Sequence, residues 1–399
     1  NMGQALVRAE GQLDLTRAQV MVPPIHWIKA AGVPGDMRFA LKPDSDGAFV
    51  VEQLTVDAGD LEAVGQVDFG PGFSIDGLDL GRLAFGQTDV SLALKKMENG
   101  GYDITVGGAS YDLRPNLAAE EEEGPDTGET KEKGTPLKVQ ARLGQLIIED
   151  NHILADVTAG ATYTGNLWQQ AEIAGAFAGG RPVNLSLTPG ENERRLTIVS
   201  EDAGSVGKGL DIYRNAVGGK LTLRATIDDR KPTHPIEGRL IVDEFRVVNA
   251  PVIAQILTIG SLAGIVDLLQ GEGINFKRLD STFVYERGVL NLKDTRAFGS
   301  AVGFTLEGNL ERATKTANFT GTVVPAYTLN TALENVPVLG KLLLGGEGEG
   351  VFAIAFGLTG SLDKPRVTVN PLSALAPGFL RGLVSILTPP PAPAPKPRP

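Results

Sequence analysis

The sequence predicts a mainly β protein built from consecutive antiparallel hairpins, on three observations. Apolar and polar residues alternate with period two along much of the chain. Turn-forming dipeptides punctuate these runs, and Gly 50 among 399 residues exceeds the usual share of roughly 7 %.

The alternation is cleanest from Lys220 to Asp228, where Leu221, Leu223, Ala225 and Ile227 alternate with Lys220, Thr222, Arg224 and Thr226. That is the pattern of a strand with one buried face. It recurs at Val90, Leu92 and Leu94, at Tyr102, Ile104 and Val106, and at Leu137, Val139, Ala141 and Leu143. Further on it returns at Val302, Phe304 and Leu306, and at Phe352, Ile354, Phe356 and Leu358. Asp46-Gly47, Pro71-Gly72, Asn99-Gly100-Gly101 and Arg287-Gly288 stand between such runs and supply hairpin turns. Roughly 20 to 25 strands result, and at about 4.8 Å between neighbours a single sheet of them would extend on the order of 100 Å. Pattern alone leaves two arrangements open. One is a pair of β-sandwiches or barrels, each hiding its apolar face; the other is one twisted sheet curled into a trough lined by that face.

Helical segments interrupt the strands. Residues 203–216, AGSVGKGLDIYRNA, are expected to form a short helix capped by Gly218-Gly219. Residues 252–269 are apolar nearly all round and long enough to invite a transmembrane reading. Gln255, Thr258, Ser261 and Asp267 favour instead a helix that covers the sheet, with insertion at a membrane interface as the alternative. Residues 331–344 form an amphipathic segment broken by Pro337. A last helix, Gly378 to Leu387, places Leu380, Leu383, Val384 and Leu387 on one face. With Phe379 and Arg381, and with Lys396 and Arg398 beyond, these are candidates for contact with an anionic membrane. Packing on the last strand is the competing reading. The tail TPPPAPAPKPRP is extended and polyproline-like.

Composition excludes several functions. A net charge of -11 argues against nucleic acid, whose phosphates demand a basic face. Much of that charge sits in Glu120, Glu121, Glu122, Glu123, Asp126, Glu129 and Glu132, read as a solvated loop. The absence of Cys rules out disulfides, zinc-thiolate sites and cysteine nucleophiles. AGSVGKG echoes a phosphate loop but has Asp202 where glycine is needed and Gly209 where a hydroxyl is needed. GGEGEG, 345–350, opens a strand rather than a helix, unlike a dinucleotide turn. Asp44-Ser45-Asp46-Gly47 lacks the further acidic ligands of a calcium loop. His26, His152 and His234 are isolated, and no G-x-S-x-G elbow occurs. No catalytic residue, cofactor or metal is expected. Asn1-Met2-Gly3 leads almost at once into a strand-like run, so the chain is read as a fragment whose N-terminal anchor is missing.

From about Glu201 to Arg381, EDAGSVGKGLDIY, GGKLTLRATI, EGRLIVDEFRVVNAPVIAQILTIGSLAGIVDLLQGEGI and the run from FTGTVVPAYTLN to PGFLRGL carry a resemblance. In that order they resemble the C-terminal region of the AsmA-like family of bacterial envelope proteins. The part up to about Arg114 is similar to the repetitive β-region of its larger YhdP/TamB-like members. The implied organisation is β-groove repeats over 1–118, an acidic linker over 119–135, the AsmA-like module over 136–376, and an amphipathic helix with a basic Pro-rich tail over 377–399. The resemblance implies a long twisted antiparallel sheet curled into an apolar groove, with a few short helices near the C-terminal end. It further implies a non-enzymatic protein anchored in the inner membrane and crossing the periplasm to move phospholipid to the outer membrane, its C-terminal end near that membrane. Leu221, Leu223, Ile227, Val302, Phe304, Leu306, Phe352, Ile354, Phe356 and Leu358 are the candidate groove lining. Phospholipid or another acyl lipid, a membrane surface and envelope proteins are the implied partners. A scaffold for outer-membrane proteins, engaging them through sheet edges, is the alternative.

Overall fold

The structure, a computed structural model, describes residues 8–44, 47–123, 134–150, 152–210, 212–259, 272–325, 354–362 and 364–370. Twenty strands belong to one open, mostly antiparallel sheet. Among the described residues the other sheet is a two-stranded ribbon, so the paired sandwich is not what forms. The chain divides into two compact units, residues 1–212 with 224–234 and residues 213–223 with 235–399.

The first unit contains β1 (Ala9–Asp14), β2 (Val20–Val22), β3 (Trp27–Lys29), β4 (Gly35–Pro43), β5 (Phe49–Ala58), β6 (Leu61–Phe69) and β7 (Ile75–Phe85). It continues with β8 (Thr88–Lys96), β9 (Tyr102–Asp112), α1 (Arg114–Glu123), β10 (Leu137–Glu149) and β11 (His152–Tyr163). Then come β12 (Trp168–Phe177), β13 (Arg181–Pro189), β14 (Glu193–Ser200) and α2 (Ala203–Gly209). Hairpins join β4 to β9 in sequence, and again β10 to β14. Two pairings in this unit depart from the expected run of hairpins: β1 pairs with β4 past the β2–β3 ribbon, and β9 and β10 are parallel. A parallel neighbour requires the chain to cross back from one end of the strands to the other, between Asp112 and Leu137.

Part of that segment, expected to be a loop from residue 119, is helical through Glu123. Asp112 accepts the Arg114 N–H at 3.1 Å and holds its guanidinium, Pro115 suits the first turn, and the Leu113 N–H reaches the Ile147 carbonyl at 2.9 Å. Helix α2 is shorter than the expected 203–216. The buried Asp202 caps its start by accepting the Ser205 N–H at 3.1 Å. Its C-terminal Leu210 N–H returns to Val206. Gly218 and Gly219, with φ of 67° and 87°, lie inside the next strand and shape it there, rather than capping the helix.

The second unit holds β15 (Ala216–Asp228) in its first part, then β16 (Ile236–Val247), α3 (Pro251–Ile259), β17 (Ile274–Glu286) and β18 (Val289–Gly299). After these come β19 (Val302–Glu311), β20 (Thr316–Pro325), β21 (Ile354–Ser361) and β22 (Arg366–Asn370). Strands β16 to β22 form an antiparallel meander. Helix α3 buries Ile256 and Leu257, and its Val252 packs against Ala317, Phe319 and Leu358, so it covers part of this sheet. The remainder of the 252–269 segment and the expected helices at 331–344 and 378–387 lie outside the described residues. Among the described residues no helix is long and apolar enough to cross a membrane.

Three residues in the left-handed region mark β-bulges: Gln53 (φ 52°), Asp156 (φ 52°) and Asp294 (φ 49°), each where the strand register shifts. At Asp156 and Asp294 the short polar side chain tolerates that backbone. A bulge inserts one residue and resets the side-chain phase. Val51 and Leu54, like Leu154 and Val157, are therefore all buried although the members of each pair are an odd three positions apart.

Ribbon β2–β3 sits against the β5–β6 turn. Trp27 Nε1 donates to Asp60 Oδ1 at 2.9 Å, and the Gly86 N–H donates to Asp60 Oδ2 at 3.0 Å. The Trp27 hydrogen bond foremost holds the Asp60 carboxyl below its ordinary range. A depressed carboxylate contributes stability above its unfolded value and loses it as pH falls through the folded one. Trp27 emission is therefore expected to shift to the red only once pH drops below about 4. An Asp60→Asn variant should lack that transition; a variant that keeps it would assign the titration elsewhere.

Candidate functional site

Register across the first unit sorts the side chains by chemistry. One row of facing residues runs Leu41, Val51, Val67, Leu78, Leu94, Ile104, Val139, Ala161, Ala171, Leu187 and Leu196, from β4 to β14 without a polar member. The next runs Leu54, Gly65, Leu80, Leu92, Val106, Ala141, Ala159, Ile173, Leu185 and Ile198 on the same face. Neighbouring residues one step along each strand point the opposite way: Gln66, Asp79, Ala93, Thr105, Gln140, Gly160, Glu172, Ser186 and Thr197 make a largely polar row. Many aliphatic residues, including Leu94, Ile104, Val139 and Ile173, stay only half-buried.

The second unit repeats the sorting with larger side chains. Val242, Leu279, Ala297, Phe304, Val323 and Ile354 form one row. Leu306, Gly321, Phe356 and Val369 form the next. Phe319, Leu358 and Val367 form a third. Phenylalanine rings link these rows, with centroid separations of 5.1 Å for Phe245–Phe276, 6.0 Å for Phe276–Phe304 and 6.5 Å for Phe304–Phe356. Gly321 makes the space for this: a Cβ there would lie 2.7 Å from the Phe356 ring and 2.1 Å from the Thr305 carbonyl.

Of the candidate lining residues, Phe304, Leu306, Ile354, Phe356 and Leu358 thus share one face, and Val302 follows the same alternation on β19. Phe304 and Leu306 are half-buried, whereas Val302 and Ile354 are fully enclosed. Leu221 and Ile227 are buried and Leu223 is half-buried, but Ile227 lies in the first unit and the other two in the second. Phe352 and the membrane-contact candidates Phe379, Leu380, Arg381, Leu383, Val384 and Leu387 lie outside the described residues. Sequence reading missed the phenylalanine series, because Phe245 and Phe276 stand in different strands and meet only through the β16–β17 register.

The polar groups that do converge are joined to one another. Arg194 is buried, grips Asp229 at 2.8 to 3.0 Å and donates to the Trp168 carbonyl at 2.6 Å, while His234 Nδ1 lies 3.1 Å from the same carboxylate. Among the described residues no group of three His, Cys, Asp or Glu could hold a metal ion. No family model, curated protein or solved structure matches this chain. What distinguishes the first unit is its face, a wide aliphatic surface left largely half-buried.

Proposed function

We propose that the chain carries acyl lipid on its apolar face and serves in phospholipid transport between the inner and outer membranes. The observation that carries this reading is the pair of aliphatic rows crossing the first unit. Apart from the buried Val51, Leu54, Leu80, Leu187 and Ile198, their side chains stay half-exposed, and among the described residues the only other sheet is a two-stranded ribbon. Contiguous exposed apolar surface of this extent marks a binding face, and each CH₂ of an acyl chain gains about 0.8 kcal/mol by leaving water for it. Aliphatic contacts are also interchangeable, so a chain can slide from one row to the next without losing a specific bond. The resemblance to the AsmA-like family supports the same reading. It adds a sheet curled into a groove, a periplasmic setting, an inner-membrane anchor and a C-terminal membrane contact.

Native mass spectrometry of the purified chain tests the proposal. Phospholipid masses bound in a detergent-free preparation, exchangeable for added lipid, are the expected result. A lipid-free chain that captures outer-membrane proteins instead would replace transport with the scaffold reading.

A further inference from the structure

The apolar face of the first unit is closed along one set of strand ends and, among the described residues, left open along the other. At one set Leu61, Leu83, Val90, Leu143 and Val157 are buried. Ribbon β2–β3 is fastened there through Trp27 and Asp60, and α1 is tied to it by Asn116 donating to the Pro24 carbonyl at 3.4 Å. Helix α2 adds the buried Val206. At the opposite set the described connections are hairpin turns, the 3-10 turn Pro71–Phe73 and residues 134–136, where the chain returns to begin β10; the row Lys96, Tyr102, Leu137, Tyr163 and Trp168 there is amphipathic.

Aromatic side chains are held outward at this open end. Phe73 is 76 % exposed and has φ 63°, a backbone that costs a bulky residue and is kept where surrounding structure enforces it. Its ring packs edge-on to Phe49 at 5.5 Å. Trp168 is 45 % exposed, yet its backbone is fixed by the buried Arg194 and its ring lies 5.2 Å from that of Tyr163. Aromatic residues with a polar handle settle where hydrocarbon meets polar groups. The residues behind this rim turn aliphatic within two positions, as in Tyr102, Ile104 and Val106.

We propose that the open end is a lip, at which the glycerol and headgroup of a bound phospholipid rest beside Tyr163 and Trp168 while its acyl chains lie inward over the aliphatic rows; Phe73 stands several strands away along the same rim. This rests on the lipid reading of the face. The phosphate and esters stay in contact with water, so no buried cation is needed to hold them.

The chain's two tryptophans test it, because Trp27 is 7 % exposed at the closed end and Trp168 stands on the lip. Strands of nine to thirteen residues separate the two ends by roughly 30 Å or more. The W27F and W168F variants, each with one tryptophan left, are loaded with phosphatidylcholine carrying a nitroxide either on the choline or near the acyl terminus. Trp168 emission should fall at least twofold more with the choline label than with the terminal one, and Trp27 should respond weakly to both. In the unaltered chain, 5-fluorotryptophan resonances broadened by the same lipids give the same contrast without substitution. Lipid that co-elutes with the protein yet leaves Trp168 unquenched, or quenches Trp27 equally, would overturn the lip and leave lipid binding standing. Failure of either lipid to co-elute would remove the transport reading and the lip together.

Discussion

An aspartate at Ile104 or Val139 is expected to leave the chain folded and to cut its lipid binding by ten- to a hundredfold. Both residues are half-buried and face each other across the parallel β9–β10 pair, in the middle of the longest aliphatic row. A carboxylate there retains water in the free protein, so the fold tolerates it. Covered by an acyl chain, the same charge costs about 2 to 3 kcal/mol, and every 1.4 kcal/mol is tenfold in affinity. Thr105→Asp and Gln140→Asp are the controls: they form the adjacent pair on the polar face and should bind lipid normally. In the second unit Phe304→Asp and Leu306→Asp are the equivalent tests, whereas Ile354 is fully enclosed and its replacement would confound binding with unfolding. Equal lipid occupancy in the Ile104 variant and the Thr105 control, measured by native mass spectrometry, would end the idea that this face carries lipid.

Replacing Lys29 with Met should be the most destabilising single change at the closed end, at about 3 kcal/mol. The side chain is 2 % exposed, and its ammonium donates to the carbonyls of Ala18, Ala30 and Val33 at 3.0, 3.2 and 2.8 Å. Methionine preserves the stem but takes this donor from the Ala18 and Val33 carbonyls, while the Ala30 carbonyl keeps the Val33 N–H at 3.3 Å. Burial of an unpaired acceptor costs more than the bond itself contributed. Urea unfolding followed by Trp27 fluorescence reads the loss, and limited proteolysis should cut between residues 15 and 34 in the variant first. A change no larger than that of the exposed Lys95→Met, for which about 0.5 kcal/mol is typical, would show that the ribbon does not depend on this lysine.

Much of the strand content was legible in the sequence, because alternation is a local property of a pleated backbone. Tyr102, Ile104 and Val106, and Leu137, Val139, Ala141 and Leu143, were assigned to one face from spacing alone, and register sets those two runs side by side. The parallel direction of that pairing was not legible. Residues 113–136 could have turned back in a hairpin, and only the return of the chain to the far end of β9 fixes the outcome. Bulges also escaped notice, since Gln53 and Asp156 look like interruptions of a strand when they reset its phase. Helix α2 was overextended for a related reason: Gly218-Gly219 fits a helix cap as well as a kinked strand start. Lysine is ordinarily a surface residue, so nothing in VPPIHWIKA announces a buried ammonium.

By itself, the sequence determined that this protein is a one-sidedly apolar β-structure, because the period of its side chains fixes which residues share a face. The tertiary structure alone decided that these faces join into rows many strands wide, that Phe245, Phe276, Phe304 and Phe356 meet, and that one end of the first unit is closed while the other is rimmed by aromatics. Each of those depends on which strands become neighbours and in what register. These are long-range choices governed by total burial and hydrogen bonding, and no local pattern encodes them.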